Sequence, residues 1–225
     1  MKLYSISAGY FKLDGGAMFG VVPKTIWSKT NPADANNLCS WAMRCLLIED
    51  GEKLILVDNG IGNKQDAKFL GHYYLHGQAS LEGSLKEHGF QKEDITDVFL
   101  THLHFDHCGG SIMRSGGRLV PAFPNANFWN NESHWQWAVL PNDRERASFL
   151  KENILPIKET GRLNFIAPAE ETGKNLLPVT DFLPGIKIRF VNGHTASMML
   201  PQIEYKGKTI VYVADLFPST GHLPV

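Results

Sequence analysis

The stretch T101-H-L-H-F-D-H-C-G-G110 places three histidines and an aspartate within six residues, directly after the apolar run V98-F-L100. The whole chain of 225 residues holds only nine histidines, so their concentration here asks for a chemical reason. At an extended strand end, residues two apart project to the same side, so His102 and His104 can offer their imidazoles to one ion. Asp106 and His107 follow once the chain has begun to turn, and they face a second point nearby. Imidazole nitrogen and carboxylate oxygen are ligands for Zn²⁺, and Mn²⁺, Fe²⁺ or Co²⁺ accept the same donors. Gathering so many ionisable groups without a counter-ion would be costly. The pair Gly109-Gly110 lets the backbone run close to such a site.

Strands flank this stretch on both sides. A42-M-R-C-L-L-I48, the acidic turn E49-D-G-E52 and K53-L-I-L-V57 read as a hairpin of two buried strands, ending in the sharp turn D58-N-G-I-G62. Leu81, Leu85 and His88 share one helical face, and Gly89 supplies the stop. I95-T-D-V-F-L100 is the strand that delivers the histidine cluster. Downstream, E132-S-H-W-Q-W-A-V-L140 and N142-D-R-E-R-A-S-F-L-K-E-N-I-L155 read as helices separated by Pro141, the second capped by Asn142 or Asp143. Strand character returns in L163-N-F-I166, I186-K-I-R-F-V191, M198-M-L-P-Q-I-E-Y205 and T209-I-V-Y-V213, the last two joined by the turn K206-G-K208. Strands at both ends with helices between them predict one layered α/β domain over residues 1–225.

Composition narrows the partners. With 22 basic and 23 acidic residues and no block of like charge, nothing favours nucleic acid or an anionic membrane. The opening MKLYSISAGYFKLDGG lacks the features of a signal peptide, and no apolar run is long enough to span a bilayer. Cys39, Cys45 and Cys108 are odd in number and unhelpfully spaced for disulfides, which suits a reducing interior. The expectation is a soluble cytoplasmic protein, with a homodimer left open. No G-x-S-x-G elbow or nucleotide-binding glycine fingerprint is present.

T101-H-L-H-F-D-H107 resembles the signature of the metallo-β-lactamase-fold hydrolases, and V57-D-N-G60, G193-H-T195 and V213-A-D215 follow in the family's order. The segment G15-G-A-M-F-G-V-V-P23, with Trp27 behind it, looks like the lactonase and methyl parathion hydrolase branch. The resemblance implies an αββα sandwich with two divalent metal ions, zinc first among them. It implies that His102, His104 and His194 hold the first ion, that Asp106 and His107 belong to the second, and that Asp215 bridges both. Asp58 would orient one histidine through its other ring nitrogen. With the ions about 3.5–4 Å apart, a water between them ionises near neutral pH, attacks a carbonyl carbon or phosphorus, and Asp106 shuttles the proton to the leaving group.

The implied activity is opening of lactones of the acyl-homoserine type, as in quorum quenching, or cleavage of related esters. Organophosphate triester hydrolysis is the neighbouring alternative, and a degenerate, non-catalytic metal-binding scaffold is the alternative from another class. Met18, Phe19, Phe105 and His222 are the candidate pocket residues, with Trp27 and the aromatic segment 128–137 as further walls. Acyl-homoserine lactone lactonases often carry a tyrosine shortly after the bridging aspartate, and D215-L-F-P-S-T220 has none. The family's further histidine ligand also has no counterpart after Asp215 besides His222, which reads as lining the mouth of the site. The expectation is therefore a chain shortened at its C-terminus, lacking the last strand and helix. Were it the whole product, its second metal site would be weak, its hydrolase activity low and a sheet edge exposed. Cys108 reads as a packed residue, and His72, His76, His88 and His134 as surface or helix-face residues.

Overall fold

The computed structural model describes residues 1–169 and 178–223. Of the C-terminal L223-P-V225, Pro224 and Val225 lie outside the described residues. The chain opens with a strand of 13 residues, β1 (Lys2–Asp14), followed by the short helices α1 (Gly15–Phe19) and α2 (Lys24–Trp27). Then come β2 (Leu38–Asp50), β3 (Lys53–Val57), α3 (Ala67–Gly71), α4 (Leu81–Glu87) and β4 (Asp97–Phe99). The histidine cluster passes into α5 (Phe105–Cys108), a hairpin of β5 (Ile112–Ser115) and β6 (Arg118–Pro121), β7 (Asn127–Asn130), α6 (Glu132–Val139) and α7 (Lys151–Glu159). The rest is β8 (Leu163–Phe165), β9 (Val179–Leu183), β10 (Ile186–Val191), β11 (Met198–Tyr205) and β12 (Lys208–Val211).

These strands form two main sheets. The first runs β1-β2-β3-β4-β7-β8, antiparallel at its β1–β2–β3 end and parallel from β3 to β8. The second is antiparallel in the order β12-β11-β10-β9. The near-continuous apolar run of β3 explains its central place, because successive side chains feed opposite faces. Leu54 and Leu56 join the core under the helices, with Leu85 of α4, Trp135 of α6 and Ile157 of α7. Ile55 and Val57 point the other way, into the core shared with Ile188, Met199 and Ile203 of the second sheet. Helices, first sheet and second sheet are therefore stacked layers, the α/β sandwich expected from the sequence. On the outer side of the second sheet, Val191, Met198 and Leu200 pack against Ala214 and Leu216 of a short 3₁₀ turn; no α-helix among the described residues joins that cluster. No helix among them is long and apolar enough to cross a membrane.

Three sequence expectations change. The 142–155 helix is instead a turn, a 3₁₀ turn at Arg146–Ser148 and the later helix α7, which contains Pro156. Asn142 caps the turn by accepting the Glu145 N–H at 2.9 Å, and Phe149 is extended (φ −103°, ψ 99°), so the helix cannot run through it. The hairpin strand read from Ala42 starts at Leu38, because all but a short bulge of β1 pairs with it. His134 is on a helix but is completely buried rather than at the surface.

Candidate metal centre

The parallel strands β3, β4 and β7 end side by side, and the polar residues that follow them collect at that edge, the usual site position in a parallel sheet. Asp58 follows β3, its backbone N–H bonded to Phe99 O at 2.9 Å. Its carboxylate is buried and accepts from Thr101 N (2.9 Å), Thr101 Oγ1 (2.8 Å) and the His107 ring at Nδ1 (2.8 Å). This places Asp58 at φ +57°, a left-handed conformation that Asp tolerates better than most residues.

His102 and His104 lie in the segment that leaves β4; His104 is extended (φ −64°, ψ 150°) and starts the single turn of α5, its carbonyl accepting from His107 N and Cys108 N at 3.0 Å each. The turn brings the His107 ring back against His102, centroids 4.0 Å apart, and sets Asp106 beside it. The 58–62 loop grips the far end of this turn: Asn59 N donates to His107 O and Gly110 N to Gly60 O, both at 2.9 Å. A Cβ on Gly109 would lie 2.2 Å from Ile61 O, and one on Gly110 2.3 Å from Asn59 O, so only glycine permits this approach. Lys64 is buried beneath the turn and donates to Gly109 O; burial lowers its ammonium to about 8.

The second sheet delivers the remaining groups. His194 follows β10 and Asp215 follows β12. Donor atoms of His102, His104 and His194 lie within 4.8 Å of one another, as do those of His102, His107 and Asp215. The Asp215 carboxylate faces both groups, with Oδ1 3.2 Å from His107 Nε2 and Oδ2 3.3 Å from His194 Nε2. Asp106 Oδ2 stands slightly farther off, 3.8 Å from His107 Nε2. His194 Nε2 and His104 Nδ1 are 2.9 Å apart, while His102 Nε2 is buried with no partner among the described residues. Converging nitrogens and an orphaned buried one are what an ion-binding cluster would show, so these residues fit a metal.

Electrostatics separate the two sides. Burial, reinforced by neighbouring imidazoles, holds His102 well below its ordinary value and His104 down to about 2, so both are neutral, as a metal requires. Burial would lower His107 as well, but Asp215, Asp106 and Asp58 outweigh it and hold His107 well above its ordinary value. Burial would raise Asp215, yet His107 and His194 keep its carboxyl below the usual range. Asp106 is raised, chiefly by burial.

His134 is the member that sequence reading missed. Its Nε2 accepts the Leu103 N–H at 2.9 Å and its Nδ1–H donates to Ala196 O at 2.6 Å. Neighbouring Asn131 caps α6 by accepting His134 N at 2.8 Å and donates its amide to Ser197 O at 2.7 Å. Together they tie the His102–His104 segment to the loop that carries His194. The partners are backbone atoms far away in sequence, so no local pattern advertised them.

A cleft of about 490 Å³ opens onto Asp106, His107 and Asp215, and Met18 lines it with Phe11 and Trp41. The other candidate pocket residues are engaged elsewhere. Phe19 stacks between Trp27 (centroids 5.4 Å apart) and His222 (4.1 Å). Phe105 is buried against Phe69 and Tyr73. His222 bonds Ser219 Oγ through Nδ1 and Met18 O through Nε2, which leaves neither nitrogen for the metal groups. Phe128 and Trp135 belong to the helix-side core, because β7 and α6 turn those faces inward. Cys108 is fully buried, and burial pushes its thiol up to about 12.

Comparison with known proteins follows the same lines. Residues 44–225 match the family model of the metallo-beta-lactamase superfamily. An N-acyl homoserine lactonase of Bacillus cereus is 27% identical over 204 residues, 86% of this chain and 66% of that protein. The chain thus spans just under two thirds of the length of that relative. Among solved structures, a probable metal-dependent hydrolase from Staphylococcus aureus superposes with a TM-score of 0.85 at 29% identity, covering 98% of this chain and 75% of its own. A dizinc quorum-quenching lactonase bound to a product, N-hexanoyl-L-homoserine in kind, shares the fold with a TM-score of 0.71 at 23% identity, over 96% of this chain and 71% of its own.

Proposed function

The chain belongs to the metallo-beta-lactamase superfamily, and from that membership we propose that it serves as a metal-dependent hydrolase opening lactones of the acyl-homoserine type or cleaving related esters. The observation that carries the reading is the Asp215 carboxylate, with one oxygen toward His107 and the other toward His194. In this reading His102, His104 and His194 would hold one divalent ion, Asp106 and His107 would serve a second, and Asp215 would contribute to both; zinc suits imidazole and carboxylate donors. Such ions supply a water ionised near neutral pH and a Lewis acid for the substrate's carbonyl oxygen.

The chain's own residues do the rest. Asp58 fixes the His107 ring through Nδ1 and turns Nε2 toward Asp215, the side on which an ion would be held. Asp106 lies beside the cleft, where a carboxyl can carry a proton to the leaving oxygen. Met18, Phe11 and Trp41 offer apolar surface to an acyl chain. The lactone reading draws its support from the curated relative's name and the extent of that match.

The test is a hydrolysis panel with metal-reconstituted protein, covering acyl-homoserine lactones, simple lactones, aryl esters and organophosphate triesters, run beside metal analysis. We expect two ions per chain, lactone turnover lost on chelation, and none in Asp106→Asn. Full turnover by metal-depleted protein would overturn the reading. Turnover of triesters alone would move it to the phosphotriesterase side, and metal without turnover would make the chain a binding scaffold.

A further inference from the structure

His104 has two ring nitrogens in different surroundings. Nδ1 faces His194, whereas Nε2 points away from the cluster and is buried with no hydrogen-bond partner among the described residues. The carboxylate nearest to it is Glu145, whose Oε2 stands 3.9 Å off, too far for a hydrogen bond but within reach of a small side-chain adjustment.

Glu145 is already held in place. The same Oε2 accepts from Trp137 Nε1 of α6 at 3.1 Å and from Thr195 Oγ1 at 2.6 Å, the latter on the residue next to His194. Its side chain is 14% exposed, and no lysine or arginine pairs with it among the described residues. Two neutral donors do not explain a carboxylate here, because an amide would accept from both at a lower desolvation cost. The arrangement asks for a donor of positive character.

We propose that Glu145 is a positioning residue for the metal centre, accepting the Nε2–H of His104 when Nδ1 is given to an ion. The inference rests on the reading of His104 as a metal ligand. A neutral imidazole carries one proton, so donation from Nδ1 leaves that proton on Nε2, facing Glu145. A carboxylate there fixes the tautomer and makes the ligating nitrogen more basic. Through Thr195, the same oxygen also ties His104 to the loop of His194, so the two ligands move as one.

The experiment compares wild type, Glu145→Gln and Glu145→Asp by zinc competition with a chromophoric chelator, and by nitrogen-edited NMR of the histidine rings in the zinc-loaded proteins. In wild type, zinc should shift His104 and reveal a slowly exchanging Nε2 proton far downfield. Glu145→Gln should move that proton upfield and weaken zinc binding about 10- to 100-fold, with Glu145→Asp between the two. The metal-free unfolding midpoint of Glu145→Gln should stay near wild type, since glutamine still accepts from Trp137 and Thr195. If Glu145→Gln does not fold, Glu145→Asp gives the same two readouts. Unchanged zinc affinity with an unmoved Nε2 proton, on a His104 that zinc does shift, overturns the role of Glu145 alone. A wild-type His104 that zinc leaves untouched overturns this role together with the metal-centre reading.

Discussion

The ring of His134 accepts the backbone N–H of Leu103, the residue between two candidate ligands, at 2.9 Å. Its other nitrogen donates to Ala196 O, two residues past His194, so one buried side chain spans both halves of the site. Replacing it by phenylalanine keeps the volume and orphans both backbone groups. We expect His134→Phe to lower the unfolding free energy by about 2–4 kcal/mol, read from denaturant midpoints.

Acid should act through the same residue. Burial holds His134 down to about 4, from an ordinary 6.5. Its contribution is fully present above the unfolded value and is lost as pH falls from 6.5 toward 4, because the unfolded chain then binds the proton more readily. The metal-free protein should lose up to about 3 kcal/mol over that window through this group. His134→Phe should show a visibly shallower loss in the same titration of stability.

Asp58→Asn is expected to separate folding from metal binding. Asparagine tolerates the left-handed backbone at this position, so the turn survives. The Thr101 contacts can persist, but the charge facing His107 is gone. Affinity of the weaker of two metal-binding events should drop about 10- to 100-fold in a chelator titration, with the tighter event little changed. Equal loss at both would place Asp58 in a general structural role.

Gly110→Ala must push its Cβ against Asn59 O, backbone that has no rotamer to yield. A destabilisation of about 1–3 kcal/mol is expected from the overpacking, with the Gly110 N to Gly60 O bond the first to stretch. Thermal unfolding measures the loss. Gly116→Ala is the control: a Cβ there meets nothing within 4 Å and only the positive φ is strained.

Metal removal gives a fifth check. An ion that binds only the folded chain raises stability by about 2.7 kcal/mol at a free concentration 100 times its dissociation constant. Zinc should therefore raise the melting temperature in a concentration-dependent way and chelation should reverse it. A melting temperature indifferent to both would argue against a metal centre.

Much of this was legible in the sequence because its signals were local. The spacing of His102, His104, Asp106 and His107 became geometry directly: an extended His104 followed by one turn. The apolar run of β3 signalled a buried strand, and the shared face of Leu81 and Leu85 with the Gly89 stop framed α4. What stayed hidden was non-local. The strand β1 has weak alternation, a pairing irregularity between Ser7 and Tyr10, and only three buried residues of its 13, so no period-two pattern stood out. The aromatic residues after Asn127 carry no mark of which core they enter. Glu145 and His134 were unremarkable until the fold brought Thr195, Ala196 and Leu103 to them.

His102, His104 and His107 hang from one sheet, while His194 and Asp215 hang from the other. The donor spacing is therefore a gauge of how the two layers sit in register, with Ile188, Met199 and Val57 as the distant bearing surface. A volume change at those apolar positions would slide one layer against the other and alter the spectrum of a bound cobalt ion. A colour change from a mutation that touches no ligand would then report, from the seam, on the packing of the whole sandwich.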